Sequence, residues 1–424
     1  MPTETIIVDS YFDGERHHEH GPYGFLIADG RIASILPAAQ LAVIAPPAAA
    51  PQRAAFLMPG LIDAHVHLFL DGTQLDATRR ADYLKAPLDE MLAVAARNAA
   101  VTLACGITTV RDAGDRFGIN HRLRAAAAER DAGLPAVRSA GLGLKRPKRY
   151  GAFMGRDVTD SAEIVAAVHE LAADCDDIKL ILTGIIDFDA GRVAGEPQFD
   201  LDSAALVVRT AHALGKRVFA HCSGTAGLDV AIAAKVDSIE HGFFMTCDRV
   251  RAMADRGIAW TPTFAPVHFQ WARPEVAGWP PQTVDNIARI LAEHAENLVR
   301  ANEAGVTLLC GSDAGSHGVG HGTGLLDELQ WLHEAGLSVA AVLRAATGAA
   351  RRHWGEPALL AEGAAFDAVL LETSPFERFA ALRAPLAVFR NGSRQVSRPG
   401  ATLRPAATGS AERDRVPPAS TATA

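Results

Sequence analysis

Met58-Pro59-Gly60-Leu61-Ile62-Asp63-Ala64-His65-Val66-His67 is the stretch on which the rest of the chain is read. The apolar run over 57–63 reads as a buried strand, with two histidines just past its end. A period of two puts both imidazoles on one face of an extended chain, so both can reach one ion. A His-x-His pair alone is a weak signal, because many such pairs are surface residues. Behind a buried strand the pair needs polar partners, since burying it without them is costly.

Working outward, strand-like runs recur at 107–112, 136–140, 178–182, 217–221, 237–240, 258–261 and 306–310. Helical segments fall between them, among them 88–104, 162–173, 203–214 and 286–304. This alternation predicts an α/β fold with a (β/α)8 TIM barrel over residues 57–359. Residues 1–56 read as short strands with an Asp29-Gly30 hairpin turn, followed by a Pro/Ala stretch from Ala45 to Pro51. Strands return at 366–371, 386–390 and 393–396 around an Asn391-Gly392 turn. The two ends, 1–56 and 360–398, are expected to form a small β-sandwich, and the Pro/Ala/Thr/Ser-rich tail 399–424 to be disordered.

Acidic residues outnumber basic ones by 49 to 41, a net charge of −8, which argues against nucleic acid as a main partner. Five cysteines without a CxxC pair suit a reducing compartment better than a disulfide scaffold. No secretory signal and no long apolar run are visible, so the expectation is a cytoplasmic protein without membrane contact. A homo-oligomer acting on a small molecule is expected.

Ionisable residues stand at the ends of four later strand candidates: Lys179, His221, His241 and, just beyond the last, Asp313. In a barrel, function gathers at the carboxyl ends of strands. With His65 and His67 these make a cluster that is costly to bury unless ions neutralise it. Four imidazoles and a carboxylate suit zinc, and also manganese, cobalt or nickel. Lys179 leaves two readings open. Carbamylated by carbon dioxide it would offer two oxygens to two metals; otherwise it is a partly buried lysine paired with Asp176 or Asp177.

These residues lie within strings that resemble the amidohydrolase superfamily, in its imidazolonepropionase- and prolidase-like branch. The strings are Gly106-Ile-Thr-Thr-Val-Arg-Asp112, Ile178-Lys179-Leu180, Ala220-His221, Val236-Asp-Ser-Ile-Glu-His241-Gly242, Gly311-Ser-Asp313-Ala-Gly315 and Leu343-Arg-Ala-Ala-Thr347. Glu362-Gly363 with 366–371 is similar to the strand that returns to that superfamily's β-sandwich. The resemblance covers nearly the whole chain apart from the tail. It implies a binuclear site in which His65, His67 and Asp313 hold the more buried ion and His221 and His241 the more exposed one. Carboxylated Lys179 would bridge the two together with a hydroxide. Asp313 would act as general base and then acid, and the exposed ion would polarise the substrate carbonyl. A lysine on the fourth strand favours amide or peptide hydrolysis over deamination. Glu240, by strand alternation, is expected to point away from the site.

The pocket is less regular. The loop Lys145-Arg146-Pro-Lys148-Arg149-Tyr150 is read either as solvated or as a substrate subsite. In the second reading Tyr150 donates to the oxyanion, and one of the four cations meets the free carboxylate of an N-acyl amino acid or Xaa-Pro-type dipeptide. His321 is expected near the substrate or behind a ligand, while His317 has no such support. Trp260, Phe264, His268 and Trp271 are read either as packing or as an aromatic wall. Ester, lactone or carbamate-type hydrolysis would use the same site. A non-catalytic binding protein is disfavoured because all six ligand positions are present.

Overall fold

The computed structural model describes residues 4–44, 51–129, 132–357, 360–397 and 404–405. The Pro/Ala linker at 45–50 and the tail lie outside the described residues, except Arg404–Pro405, which pair with Gln52–Pro59.

Both ends of the chain meet in one nine-stranded sheet. Its main path runs Ser393–Ser397, Ala387–Arg390, Ala368–Leu371, Gln52–Pro59, Glu4–Phe12, Tyr23–Ala28 and Arg31–Pro37. Asp29 and Gly30, both with positive φ, make the tight turn between the last two, and Asn391-Gly392 does the same at the other edge. Ile6, Val8, Phe25, Leu57, Phe366, Leu370 and Phe389 bury a core of their own on this sheet.

The strand expected over 57–63 is two strands. Gln52–Pro59 belongs to the terminal sheet, and Leu61–Val66 begins a parallel one. Gly60 is the crossing point: a Cβ there would lie 2.1 Å from Thr108 Oγ1, so any side chain would collide. An uninterrupted apolar run cannot reveal that break.

The parallel strands form two arcs. One holds Leu61–Val66, Ile107–Asp112 and Ala136–Ser139; the other runs Gly155–Asp157, Gly143–Lys145, Ile178–Ile181, Val218–Cys222, Ser238–His241 and Ala259–Thr261. Helices alternate with them, including Leu88–Ala104, Ser161–Ala172, Leu201–Ala213 and Pro281–Glu303. Asp160 and Asp200 cap two of these by accepting from Glu163 N and Ser203 N. The strand expected over 306–310 makes only a single bridge, Trp260 to Leu308. Cys310 N donates to Ala345 O, in the helix Val339–Ala345, instead of to a neighbouring strand. A second bridge, Val66 to Ala314, links that segment to the first arc. No helix among the described residues is long and apolar enough to cross a membrane.

Candidate metal centre

His65 and His67 leave the strand Leu61–Val66 on one side, as the period of two requires, and Asp313 approaches them from the segment after 306–310. Asp313 N donates to His65 O, which fixes that approach. Asp313 Oδ1 lies 3.7 Å from Nε2 of both histidines, and one ligand atom from each of the three residues falls within 4.8 Å of the others. All three residues are buried.

Hydrogen bonds on the far ring nitrogens aim these lone pairs. His65 Nδ1–H donates to Glu240 Oε2 at 2.7 Å, and His67 Nδ1–H to Gly114 O at 3.2 Å, which makes both Nε2 atoms acceptors. Burial, with the Lys179 cation nearby, holds His65 well below its ordinary pKa and His67 down at about 3. Both imidazoles are therefore neutral at physiological pH, the state a metal requires. Burial pushes the Asp313 carboxyl up to about 7, against the opposing bond from Ser316 Oγ at 2.9 Å.

His221 and His241 face one another, ring centroids 4.6 Å apart, and the His241 ring is 5.1 Å from His65. His221 is turned the other way from the rest: Nε2–H donates to Gly184 O at 3.3 Å, which leaves Nδ1 as its free lone pair. His241 Nδ1 is 2.7 Å from Thr263 Oγ1, leaving Nε2 free. Burial lowers His221 to about 3 and His241 well below its usual value.

Lys179 is fully buried on Ile178–Ile181, with Nζ 3.4 Å from His65 Nε2 and 4.7 Å from the Phe219 ring centroid. Asp177 is taken by Arg138 and Asp176 by Arg124, so the pairing considered from sequence does not form. No carboxylate lies within ion-pair distance of Nζ among the described residues, and burial lowers its pKa to about 8.

Glu240 corrects the alternation reading, which sends it away from the site. It is 0 % exposed and accepts from His65, from Arg111 Nη2 at 2.8 Å and from Ser238 Oγ at 2.6 Å. Glu240 keeps the face it shares with Ser238, and it is His241, with a φ of 69°, that leaves the pleat, so that both neighbours approach His65.

His65, His67, Lys179, His221, His241 and Asp313 line a cavity of about 350 Å³. Tyr150 lines it too, 5.1 Å from the His221 ring, and burial with the Asp313 charge raises its pKa, so it stays a hydrogen-bond donor. None of the four cations beside it lines the cavity. Gly143–Lys145 is a strand; Lys145 Nζ is held by Asp157 at 2.5 Å, and Arg146 donates to Val158 O, Thr159 O and Ser203 Oγ. Arg149 donates to Glu196 O, and Lys148 is exposed.

The proposed aromatic wall is also replaced. Trp260 is buried and donates to His241 O, Phe264 packs on His294, His268 stacks on Trp331, and Trp271 is exposed. The helix Phe264–Ala272 turns Pro266, Val267 and Gln270 to the cavity instead, while Phe153, Phe188 and Phe243 supply the aromatic surface. His321 stands outside the lining residues and donates to Leu70 O at 3.0 Å; His317 does line the cavity. Sequence reasoning missed Arg80, which lies in a polar stretch with no periodic signal, on the short helix Ala77–Tyr83.

The model of the amidohydrolase family matches residues 56–397. An uncharacterised protein of Mycobacterium tuberculosis is 32% identical over 307 residues, 72% of this chain and 76% of its own. Among solved structures, a Xaa-Pro dipeptidase with bound methionine in its active site superposes with a TM-score of 0.77 at 24% identity, covering 93% of this chain and 99% of that one. Aspergillus niger ochratoxinase gives 0.77 at 22% identity, covering 95% and 97%. These likenesses carry a TIM-barrel-like α/β fold.

Proposed function

The chain belongs to the amidohydrolase family, hydrolases acting on carbon–nitrogen bonds, and on that premise we propose that it cleaves the amide bond of a small N-acyl amino acid or Xaa-Pro-type dipeptide at a two-metal centre. The observation that carries this is the convergence of His65, His67 and Asp313 within 4.8 Å, beside a buried lysine with no carboxylate at ion-pair distance among the described residues. We read the two parallel arcs as one (β/α)8 barrel and the terminal sheet as its β-sandwich partner.

The donor set fits divalent ions. The imidazoles are held neutral, their outer nitrogens are occupied and their inner lone pairs face the cavity. His65, His67 and Asp313 would hold one ion and His221 with His241 the other. Lys179 would join them as a carbamate, which converts an unpaired buried cation into an anionic ligand. Zinc suits this set best, with manganese, cobalt or nickel as alternatives. Bound there, such ions supply Lewis acidity that makes water nucleophilic near neutral pH. Asp313 would take a proton from the attacking water and pass it to the leaving nitrogen. Tyr150 Oη donates to the carbonyl oxygen as negative charge develops on it. Phe153, Phe188, Phe243 and Val267 keep bulk water off the reacting bond.

The test is metal analysis of protein purified without chelator, with turnover of N-acyl amino acids, Xaa-Pro dipeptides, lactones and carbamates by the wild type and Asp313→Asn. We expect about two ions per chain, amide turnover, and a loss of at least ~100-fold in the variant. Turnover confined to lactones or carbamates would refute the amide assignment; metal-free protein or a fully active variant would refute the mechanism.

A further inference from the structure

None of the four basic residues of the 145–150 loop lines the cavity, yet the cavity is not without a cation beyond Lys179. Arg80 lines it, on the wall formed with Leu70 and Phe153. Its guanidinium is fixed by backbone carbonyls alone: Nη1 donates to Asp71 O at 2.7 Å and Gln74 O at 3.3 Å, and Nη2 to Gly315 O at 2.9 Å. Nε–H and one Nη2 hydrogen keep no partner among the described residues, donors enough for both oxygens of one carboxylate.

The guanidinium has no direct ion pair either. No carboxylate stands within ion-pair distance of Arg80 among the described residues. Asp71, adjacent through its backbone, turns its side chain to Thr73 N, Thr73 Oγ1 and Arg97. Asp313 is the one carboxylate among the lining residues. Burial lowers the Arg80 pKa, which marks a cation partly stripped of water. Gly315 follows Asp313 by two residues, so the carbonyl that clamps Arg80 belongs to the same loop as the proposed base.

We propose that Arg80 is the specificity residue that receives the free carboxylate of the substrate. This deepens, and rests on, the reading of the site as an amide hydrolase for N-acyl amino acids. A rigid, half-buried guanidinium held by carbonyls loses little side-chain entropy on binding, and its desolvation cost has already been met in folding. The apolar lining on either side then takes the amino-acid side chain and the acyl group. A purely structural role, stapling the 71–74 and 313–316 loops, is the competing explanation.

Two inert probes separate these. N-tosyl-phenylalanine and its carboxamide carry a sulfonamide where the scissile amide would be, and differ only in the carboxylate. Calorimetric titration into the metal-replete protein should show the acid binding about 10- to 100-fold tighter than the carboxamide, the range expected of a charge-assisted pair. In Arg80→Gln that ratio should fall to about 1–3, with Arg80→Lys between the two because it keeps charge but not the planar fork. Equal binding of the two probes by the wild type, or binding of neither, overturns the proposal. So does an Arg80→Gln variant in which both probes weaken by the same factor, which is the signature of a staple. Hydrolysis of N-acyl amino acids by the wild type is measured separately. Absence of that turnover with the carboxylate preference intact would remove the amide reading and leave the carboxylate subsite.

Discussion

Replacing Glu240 by Gln should disarm the metal centre without touching a ligand. The carboxylate accepts three bonds, from His65 Nδ1 at 2.7 Å, Arg111 Nη2 at 2.8 Å and Ser238 Oγ at 2.6 Å. An amide of the same shape has one accepting oxygen and one donating nitrogen. With its oxygen towards Arg111 and Ser238, its NH2 meets the Nδ1–H of His65, donor against donor. His65 escapes by moving its proton to Nε2, the atom that faces Asp313, and so loses the lone pair an ion needs. In either orientation Arg111 loses its buried counter-charge, and with the amide flipped it also faces a donor, keeping Ala64 O and the Phe219 ring. The first outcome should weaken metal binding by about 10- to 100-fold, the usual cost of losing an outer partner to a ligand histidine. The second should destabilise the metal-free protein by about 3–5 kcal/mol, the cost of breaking a buried pair from one side. Competition with a chromophoric chelator reads the first, denaturant unfolding of chelated protein the second, and the His65 ring nitrogen shifts show where its proton sits. Unchanged affinity together with unchanged stability would refute the account of Glu240 as the group that aims His65.

Two further outcomes follow from the same geometry. Tyr150→Phe removes one donor aimed into the cavity and should lower kcat by about 10- to 1000-fold with little change in Tm; full kcat would exclude Tyr150 from oxyanion binding. Glu328, fully buried, accepts from Phe264 N and Ala265 N and is pushed up to about 8 by burial, above its ordinary 4.5. Between those values the folded state holds more protons than the unfolded one, so this group's contribution falls as pH rises. The wild-type advantage over Glu328→Gln should therefore shrink from pH 5 to 8, by at most about 1.4 kcal/mol per unit; a pH-independent difference in urea unfolding would contradict it.

Much of the scaffold was legible because it follows from periodicity. The helix at 88–104 and the strand at 107–112 fall where the pattern places them, and other strand and helix bounds differ by a residue or a few. What periodicity cannot see is a change of sheet inside one apolar run, as at Gly60, or a backbone donor that goes to a helix, as at Cys310. The candidate ligands were legible as strand-end residues, and the cavity brings all six together. The substrate wall was not. Lys145 and Arg146 read as free cations because their acceptors, Asp157, Val158, Thr159 and Ser203, lie 12 to 57 residues away in sequence. Arg80 was invisible for the converse reason: what distinguishes it is that no carboxylate among the described residues pairs with it in space.

Glu240 shows where strand logic ends and site logic begins. His241, Thr263 and Asp313 have φ of 69°, 49° and 53°, in the left-handed region, and each stands at or just beyond the carboxyl end of a strand or bridge segment. The hairpin residues Asp29 and Asn391 share that conformation, but there tight turns demand it and the residue types tolerate it. For His, and still more for a β-branched Thr, the conformation costs on the order of 1–3 kcal/mol and persists only where surroundings over-determine it. They do so here. Trp260 Nε1 donates to His241 O, Gly242 N to Cys222 O, and Asp313 N to His65 O, while Glu328 takes the two N–H groups that follow Thr263. Thr263 Oγ1 in turn lies 2.7 Å from His241 Nδ1, so one strained residue sets the ring of the other. A regular pleat would keep Glu240 on the face it shares with Ser238 and turn His241 to the opposite one, away from His65. The distortion is therefore what lets two adjacent residues of one strand serve the same centre, one as candidate ligand and one as the group that orients a ligand on another strand.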